Sequence, residues 1–303
     1  MNKTCPTFPS RRNMLKKVLL LLALGGLLLS KGDQPLLAML EPDELAVTQG
    51  LQAFFPLIAS HDEVVKGKQT IWQKTAPIRS LAGTQLSGST VSYLELPRWR
   101  QLQRGEEYSI ALTLHPEVLK YRQPGNITRA ILWDGNPQDP SKPRMSLWKA
   151  GEDIFHFSGG RPGHSTRVNF AWVEAPRLDL VLVTNKPSQK YQVYVNGELV
   201  QEIYFPTDKI PRADHLFLGK GFQPPIALAG GYSRFGLWDR ALTPQEVQTL
   251  HEESASWYSR SRWLLRGYHL LIWGGFLGFA FGWLRRDVAA YWASLKTALS
   301  SAE

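Results

Sequence analysis

Between about Val47 and His251 the chain is a succession of short apolar runs separated by Gly, Pro, Asn and Asp clusters: "STVSYLEL", "EYSIALTL", "RAILW", "RMSLWKA", "DIFHF", "VNFAWVE", "LDLVLVTN", "YQVYV", "ELVQEIYF", "HLFLG" and "SRFGLWD". Runs this short, rich in Val, Ile, Tyr and Trp and almost without a helical period between them, predict an all-β sandwich or jelly roll. The clearest joint is "YQVYVNGELVQEIYF". Asn196-Gly197 is the favoured type I′ pair, and a two-residue turn there pairs Val193 with Val200 and Tyr194 with Leu199. One helix start stands out in "FGLWDRALTPQEVQTLHEE": Thr243 suits the N-cap, Pro244 the first helical position and Glu246 the reciprocal capping-box position. Leu242 and Val247 then stand where a hydrophobic staple needs them, so a short helix is expected from Thr243.

Two apolar segments break the strand pattern. Val18 to Leu29 is an uncharged block of twelve residues with no polar stripe. As a helix it reaches roughly 18 Å, short of the ~30 Å hydrocarbon core, and so fits a signal h-region better than a permanent span. Gly267 to Leu284, "GYHLLIWGGFLGFAFGWL", is eighteen residues without a formal charge, bounded by Arg266 and by Arg285-Arg286. That length suffices for a transmembrane helix, and Tyr268, Trp273 and Trp283 supply aromatics toward its ends. Gly274, Gly278 and Gly282 recur every four residues and fall on one helix face, where another helix could approach closely. Beyond it Val288, Tyr291, Trp292, Leu295 and Leu299 keep helical spacing, the pattern of an amphipathic helix lying on a membrane surface.

Charge changes how these segments are read. The formal net charge is +9, which invites a nucleic-acid hypothesis until its distribution is seen. Residues 1 to 17 carry +5 and residues 260 to 303 carry +4, leaving 24 basic and 24 acidic residues between 18 and 259. The excess flanks apolar segments, so it reads as membrane topology and no nucleic-acid partner is expected. The single cysteine, Cys5, precedes the apolar block, which excludes an intramolecular disulfide and a thiolate metal cluster.

"SRRNMLK", Ser10 to Lys16, resembles the twin-arginine export signal Ser-Arg-Arg-x-Phe-Leu-Lys, with Met14 in place of Phe. The resemblance implies a domain folded before export. An ordinary Sec signal is the alternative, and the Leu-rich block is Sec-like. The nearest small-x-small site is Ser30-Lys31-Gly32, so removal of the segment and its retention as an anchor both stay open. Either way an N-terminal signal sends the middle of the chain across the membrane. The C-terminal span then returns the tail to the cytoplasm. With the lack of disulfides this points to a bacterial inner-membrane protein whose main domain is extracytoplasmic.

"VYVNGELV", then "LFLGKG", then "ALAGGYSRFGLWDRALTPQEVQTLH" resemble, in order and spacing, the C-terminal half of the laminin-G-like, concanavalin A-like jelly roll of bacterial envelope proteins. "LSGSTVSYLEL" resembles a strand of the first half more loosely, and "PRLDLVLVTNKP" stands where that family usually has Trp-x-His. The resemblance implies a concanavalin A-like fold over residues 48–255. The expected organisation is a signal or anchor at 1–32, a linker at 33–47, the domain at 48–255, a juxtamembrane segment at 256–266, the span at 267–284 and a cytoplasmic tail at 285–303.

That fold carries lectins, protein-binding modules and glycoside hydrolases, so function must come from a site. A glucanase-type enzyme needs carboxylates on one strand face, as in Glu-x-Asp-x-x-Glu, and no such run occurs. The acids of "GEDIFHF", Glu152 and Asp153, are adjacent; the histidines show no metal spacing; and no Gly-x-Ser-x-Gly elbow is present. The chain is therefore expected not to be an enzyme. No cofactor is expected, although loop carboxylates such as Asp134 or Asp239 leave calcium open. The leading expectation is binding of a glycan or envelope polysaccharide, which needs an aromatic face and fixed polar groups. "ILWDGNPQDPSKPRMSLW" offers Trp133, Asp134, Asn136 and Trp148 around a Pro-rich loop. The competing reading makes both Trp residues core positions on neighbouring strands and Asp134-Gly135 a turn. The rival function is assembly: the domain docks a protein partner and the glycine-faced span packs against a membrane helix.

Overall fold

A computed structural model describes residues 37–40, 42, 44–58, 72–73, 78–80, 83–87, 93–96, 107–115, 129–135, 145–150, 154–159, 166–171, 177–185, 187–204, 215–220 and 229–300. The export-signal region, Asn136 and the Glu152-Asp153 pair lie outside the described residues. The chain divides into two compact units, one running Leu37–Ser259 and the other including Arg260–Glu303.

In the first unit the strands are β1 (Leu51–Phe55), β2 (Trp72–Gln73), β3 (Ile78–Ser80), β4 (Gly83–Ser87), β5 (Leu94–Leu96), β6 (Tyr108–His115), β7 (Arg129–Gly135), β8 (Met145–Ala150), β9 (Ile154–Gly159), β10 (Thr166–Ala171), β11 (Leu178–Asn185), β12 (Lys190–Val195), β13 (Glu198–Tyr204), β14 (His215–Leu218) and β15 (Ala229–Trp238). They form two sheets, an eight-stranded one in the order β13-β12-β11-β6-β15-β4-β3 with β1 also on β15, and a seven-stranded one in the order β10-β9-β8-β7-β14-β5-β2. Each described pairing is antiparallel, as the sandwich expectation requires.

The core between the sheets follows from alternation along the strands. Leu112, Leu180, Leu182, Val193 and Leu237 from one sheet meet Leu94, Leu132, Leu147, Phe155, Phe157, Leu216 and Leu218 from the other. A second cluster covers the outer face of the eight-stranded sheet, where Phe54, Val181, Val183, Tyr194 and Trp238 pack against Leu242, Val247 and Leu250. These last residues open α1 (Pro244–Ser300) or immediately precede it. Leu180 to Val183 of β11 is an unbroken apolar run because the strand is buried on both faces.

Two local signals fold as the sequence predicts. Asn196 and Gly197 adopt φ of 53° and 86°, both central residues left-handed as a type I′ turn demands. Tyr194 pairs with Leu199 as expected, but a register shift follows, and Val193 pairs with Gln201 instead of Val200. A bulge inserts one extra residue on β13, which pattern alone does not reveal. At the helix start the amide of Thr243 donates to Glu246 Oε2 at 2.9 Å, and the amide of Glu246 donates to Thr243 Oγ1 at 3.3 Å. Arg240 clamps the same carboxylate through both guanidinium nitrogens, fixing the entry angle of the chain.

The helix that starts here does not stop after a few turns; α1 continues to Ser300. Over Pro244–Gly282, α1 is long and apolar enough to cross a membrane. Leu270, Leu271, Leu277, Phe279 and Phe281 are exposed along it. A Cβ added at Gly274, Gly278 or Gly282 meets nothing within 4 Å among the described residues, so the glycine face is open.

Candidate functional site

Of the residues singled out in the Pro-rich region, Trp133, Asp134 and Trp148 fall on the seven-stranded sheet. The backbone of Trp133 pairs with Phe217 on one side and Ser146 on the other. Phe217 and Ser146 alternate with the core residues Leu216, Leu218, Met145 and Leu147, so they belong to the outer face of this sheet. Trp148, two residues beyond Ser146, shares that face and is 9% exposed. Asp134 is not carried on a loop or turn: β7 runs through Gly135, whose backbone pairs with His215, and Asp134 is fully buried between the core residues Leu216 and Met145. Continuation of the ladder past the Asp-Gly pair, against a turn propensity, is what the sequence hid.

The same outer face carries groups that sequence reading missed. His215 Nδ1 lies 2.7 Å from Glu95 Oε1 on the neighbouring strand β5. The His215 ring stacks on Phe217 at 5.8 Å and 19°, and Tyr93 meets Phe217 edge-on at 5.7 Å. Lys220 Nζ stands 4.1 Å from the Tyr93 ring centroid. Burial, reinforced by the Glu95 charge, raises the Tyr93 phenol, which therefore stays a neutral donor. Toward the far edge His156 Nδ1 and Asn169 Oδ1 are 2.8 Å apart across β9 and β10. The row thus sets a carboxylate, imidazoles and an amide beside the half-buried Tyr93 ring, with the Phe217 ring buried beneath them at 2% exposure; polar groups beside an aromatic ring are the chemistry that sugar rings need. The available signal was alternation: in "SYLEL" and "HLFLG" the polar or aromatic residue recurs at every second position.

A second polar cluster lies beneath α1. Asp179 is the one acid of β11 and is 6% exposed. Thr113 Oγ1 and Ser254 Oγ donate to its Oδ1 at 2.8 and 2.9 Å, while His251 Nδ1 and an Arg177 guanidinium nitrogen reach Oδ2 at 2.7 and 2.8 Å. Burial alone would raise this carboxyl, but the hydrogen bonds and the Arg177 charge outweigh it and hold it low. His115, beside the cluster, is pushed down to about 4, chiefly by burial, and is neutral at pH 7. Arg234, 4% exposed, pairs with Glu253 at 2.8 Å and lies over the Trp257 ring at 5.8 Å. The preceding chain joins in: Trp257 Nε1 donates to Leu40 O and the Ala46 amide to Glu253 Oε2. Asp179 is satisfied from four sides and the cluster clasps the start of α1 to the sheet, while Arg177 Nε, Arg234 Nη1 and His115 Nδ1 stay buried without a hydrogen-bond partner among the described residues.

Among the described residues no group of three or more His, Cys, Asp or Glu is placed to hold a metal ion. Asp239, one of the carboxylates considered for calcium, accepts a hydrogen bond from Gln52 Nε2 at 2.6 Å.

The family model of the concanavalin A-like lectin/glucanases superfamily matches residues 88–248. The chain belongs to this superfamily. Among curated proteins none matches. Among solved structures, Trypanosoma rangeli sialidase is similar over 78% of this chain and 38% of its own, at 17% identity and a TM-score of 0.53. The receptor binding domain of botulinum neurotoxin C/D mosaic serotype is similar over 68% of this chain and 52% of its own, at 9% identity and 0.52. The binding domain of botulinum neurotoxin DC, solved in complex with rat synaptotagmin II, is similar over 69% and 52%, at 10% and 0.52. The superfamily member therefore spans about a third of the sialidase length and about half of the toxin domains, and at these identities the likeness is one of fold.

The sialidases also correct one expectation. The missing Glu-x-Asp-x-x-Glu strand pointed to a chain that is not an enzyme, and enzymes sharing this fold at 14–18% identity overturn that inference. The motif tests a single placement of carboxylates, whereas the fold serves more than one chemistry.

Proposed function

We propose that this concanavalin A-like domain recognises a glycan or envelope polysaccharide outside the cytoplasm of a bacterium, with the apolar part of α1 holding it in the inner membrane. The observation that carries the reading is the outer row of the seven-stranded sheet, where a fixed Glu95–His215 pair adjoins the Tyr93 and Phe217 rings. Trp148, at 9% exposure, shares this face, and Trp133, Asp134 and Asn136 are proposed with it as contributors to the site. In this reading residues 1–32 direct export, 33–47 link, 48–255 form the recognition domain, 267–284 span the bilayer and 285–303 lie on its cytoplasmic side. The test is binding of the full chain in detergent to an array of bacterial polysaccharides and oligosaccharides. Binding that His215→Ala and Glu95→Gln weaken about tenfold supports the reading, since each removes a hydrogen-bonding group from a desolvated contact. Absence of binding to every glycan rejects it.

A second reading, assembly with a protein partner in a membrane complex, is favoured by the open glycine face of α1. It predicts that one membrane complex co-purifies with the chain and is lost in Gly278→Leu, whose side chain would hold a partner helix away.

A further inference from the structure

The corner of the eight-stranded sheet formed by β12 and β13 is built differently from the rest of that face. Nearer the middle of the sheet, Tyr194 is buried in the cluster under α1. Two pairs further out, Lys190 lies opposite Tyr204 and Gln192 opposite Glu202. The intervening residues Tyr191, Val193 and Ile203 are buried in the main core, so the four polar positions share the outer face. Lys190 Nζ donates to Glu202 Oε2 at 2.8 Å and Gln192 Nε2 donates to Glu202 Oε1 at 2.8 Å. The ammonium also stands 5.2 Å from the Tyr204 ring centroid, yet Tyr204 remains 67% exposed.

Exposed ion pairs of this kind contribute little to stability, so fold energy does not explain an ordered trio beside an exposed ring. The arrangement has a chemical use. Both carboxylate oxygens are fixed in place while lone pairs remain toward solvent, the ammonium has further protons to donate, and the amide of Gln192 presents its own oxygen. Alternating donors and acceptors at this spacing suit adjacent sugar hydroxyls, and the ring suits the apolar face of a pyranose. Lys190 and Glu202 cancel in charge, which fits a neutral ligand better than an acidic one.

We infer that Lys190, Gln192, Glu202 and Tyr204 form a second carbohydrate-binding surface, specific for uncharged pyranose chains, on the sheet opposite the Glu95–His215 row. The inference rests on the reading of the domain as a glycan binder and adds a separate site. Two surfaces on opposite sheets of one sandwich cannot be bridged by a short oligosaccharide, so the domain engages two chains or two stretches of a long one, and gains avidity on polymers. Partners hold both charges of the pair, lowering the Glu202 carboxyl and raising the Lys190 ammonium, so the surface is unchanged across ordinary pH.

The experiment measures binding of the full chain in detergent to neutral oligosaccharides and to the polymers they come from, for wild type, Tyr204→Ala, Tyr204→Phe, Glu202→Gln and His215→Ala. Loss of ring stacking in Tyr204→Ala is expected to weaken neutral-oligosaccharide binding about tenfold, while Tyr204→Phe retains it. Glu202→Gln is expected to weaken it about fivefold, and neither change should respond to added salt. Circular dichroism confirms that each variant is folded; if Tyr204→Ala is not, Glu202→Gln decides. Residual binding in His215→Ala that disappears when Tyr204→Ala is added supports two sites. Wild-type binding that Tyr204→Ala and Glu202→Gln leave unchanged overturns the second surface and leaves the first reading standing. No glycan binding by the wild type rejects both.

Discussion

The outer faces of the two sheets solve opposite problems. On the eight-stranded sheet most of the face is covered: Phe54, Val181, Tyr194 and Trp238 bury against the start of α1, and the charge of Asp179 is enclosed by four side chains. On the seven-stranded sheet the polar pairs keep contact with solvent, His215 and Glu95 at 35% and 18% side-chain exposure. A carboxylate enclosed under a helix holds the fold together, whereas a partly exposed polar pair has capacity left for a ligand. The comparison predicts that substitutions on the covered face cost stability and those on the open face cost binding.

The largest effect should come from Asp179→Ala. Removing one partner of a buried charge cluster leaves Arg177 and His251 without their carboxylate, and the expected loss is about 3 to 5 kcal/mol, read as a lowered denaturant midpoint. A loss within experimental error would show that the clasp does not hold α1. Next is pH. His115 has an ordinary value of 6.5 and is pushed down to about 4 in the fold, so between these values the unfolded chain binds more protons. Stability should therefore fall as pH drops from 6.5 to about 4, by no more than about 3 kcal/mol, because charging His115 places a second ring N–H in a buried site. The Asp179 carboxyl, held low, retains its contribution over that window and loses it only in stronger acid. His115→Gln should flatten the slope in a pH series of urea titrations. Smaller again is Thr243→Ala, which removes the side-chain cap of α1 and should cost about 1 kcal/mol by thermal unfolding. On the open face Glu95→Gln should shift stability by less than about 1 kcal/mol, since its partner is only partly buried, while weakening glycan binding.

The sequence patterns that proved legible were those in which local chemistry and tertiary structure agree. The Asn196-Gly197 turn, the Thr243/Glu246 cap and the strands rich in β-branched and aromatic residues stand where their residue types direct. β1 was not separable, because "LQAFF" shows no apolar-polar alternation, its last three residues being buried by their place beside β15. The end of the helix was misjudged for a simpler reason. "EESASWYSRSRWLLRG" holds no proline and no glycine until Gly267, so nothing in it ends a helix begun at Thr243. Register was harder: the extra residue that moves Val193 from Val200 to Gln201 has no composition signal. The candidate sites were the least legible. Trp133 and Trp148 were open between a loop site and positions on neighbouring strands, and they stand on the paired strands β7 and β8, whereas Glu95 and His215 meet only because β5 and β14, 120 residues apart, are paired. Such a juxtaposition depends on topology, which no local pattern carries. Asp179 left a trace that could have been used, since a lone acid inside an otherwise buried strand requires partners.

The central claim is that the open face of the seven-stranded sheet binds carbohydrate. It is tested most directly by titrating the detergent-solubilised full chain with the best glycan found on an array, in parallel with Glu95→Gln and Asp179→Ala at a temperature where both variants remain folded. The account predicts binding weakened about tenfold by Glu95→Gln and unaltered by Asp179→Ala. Equal affinity in Glu95→Gln and wild type, or loss of binding in a folded Asp179→Ala, would contradict it.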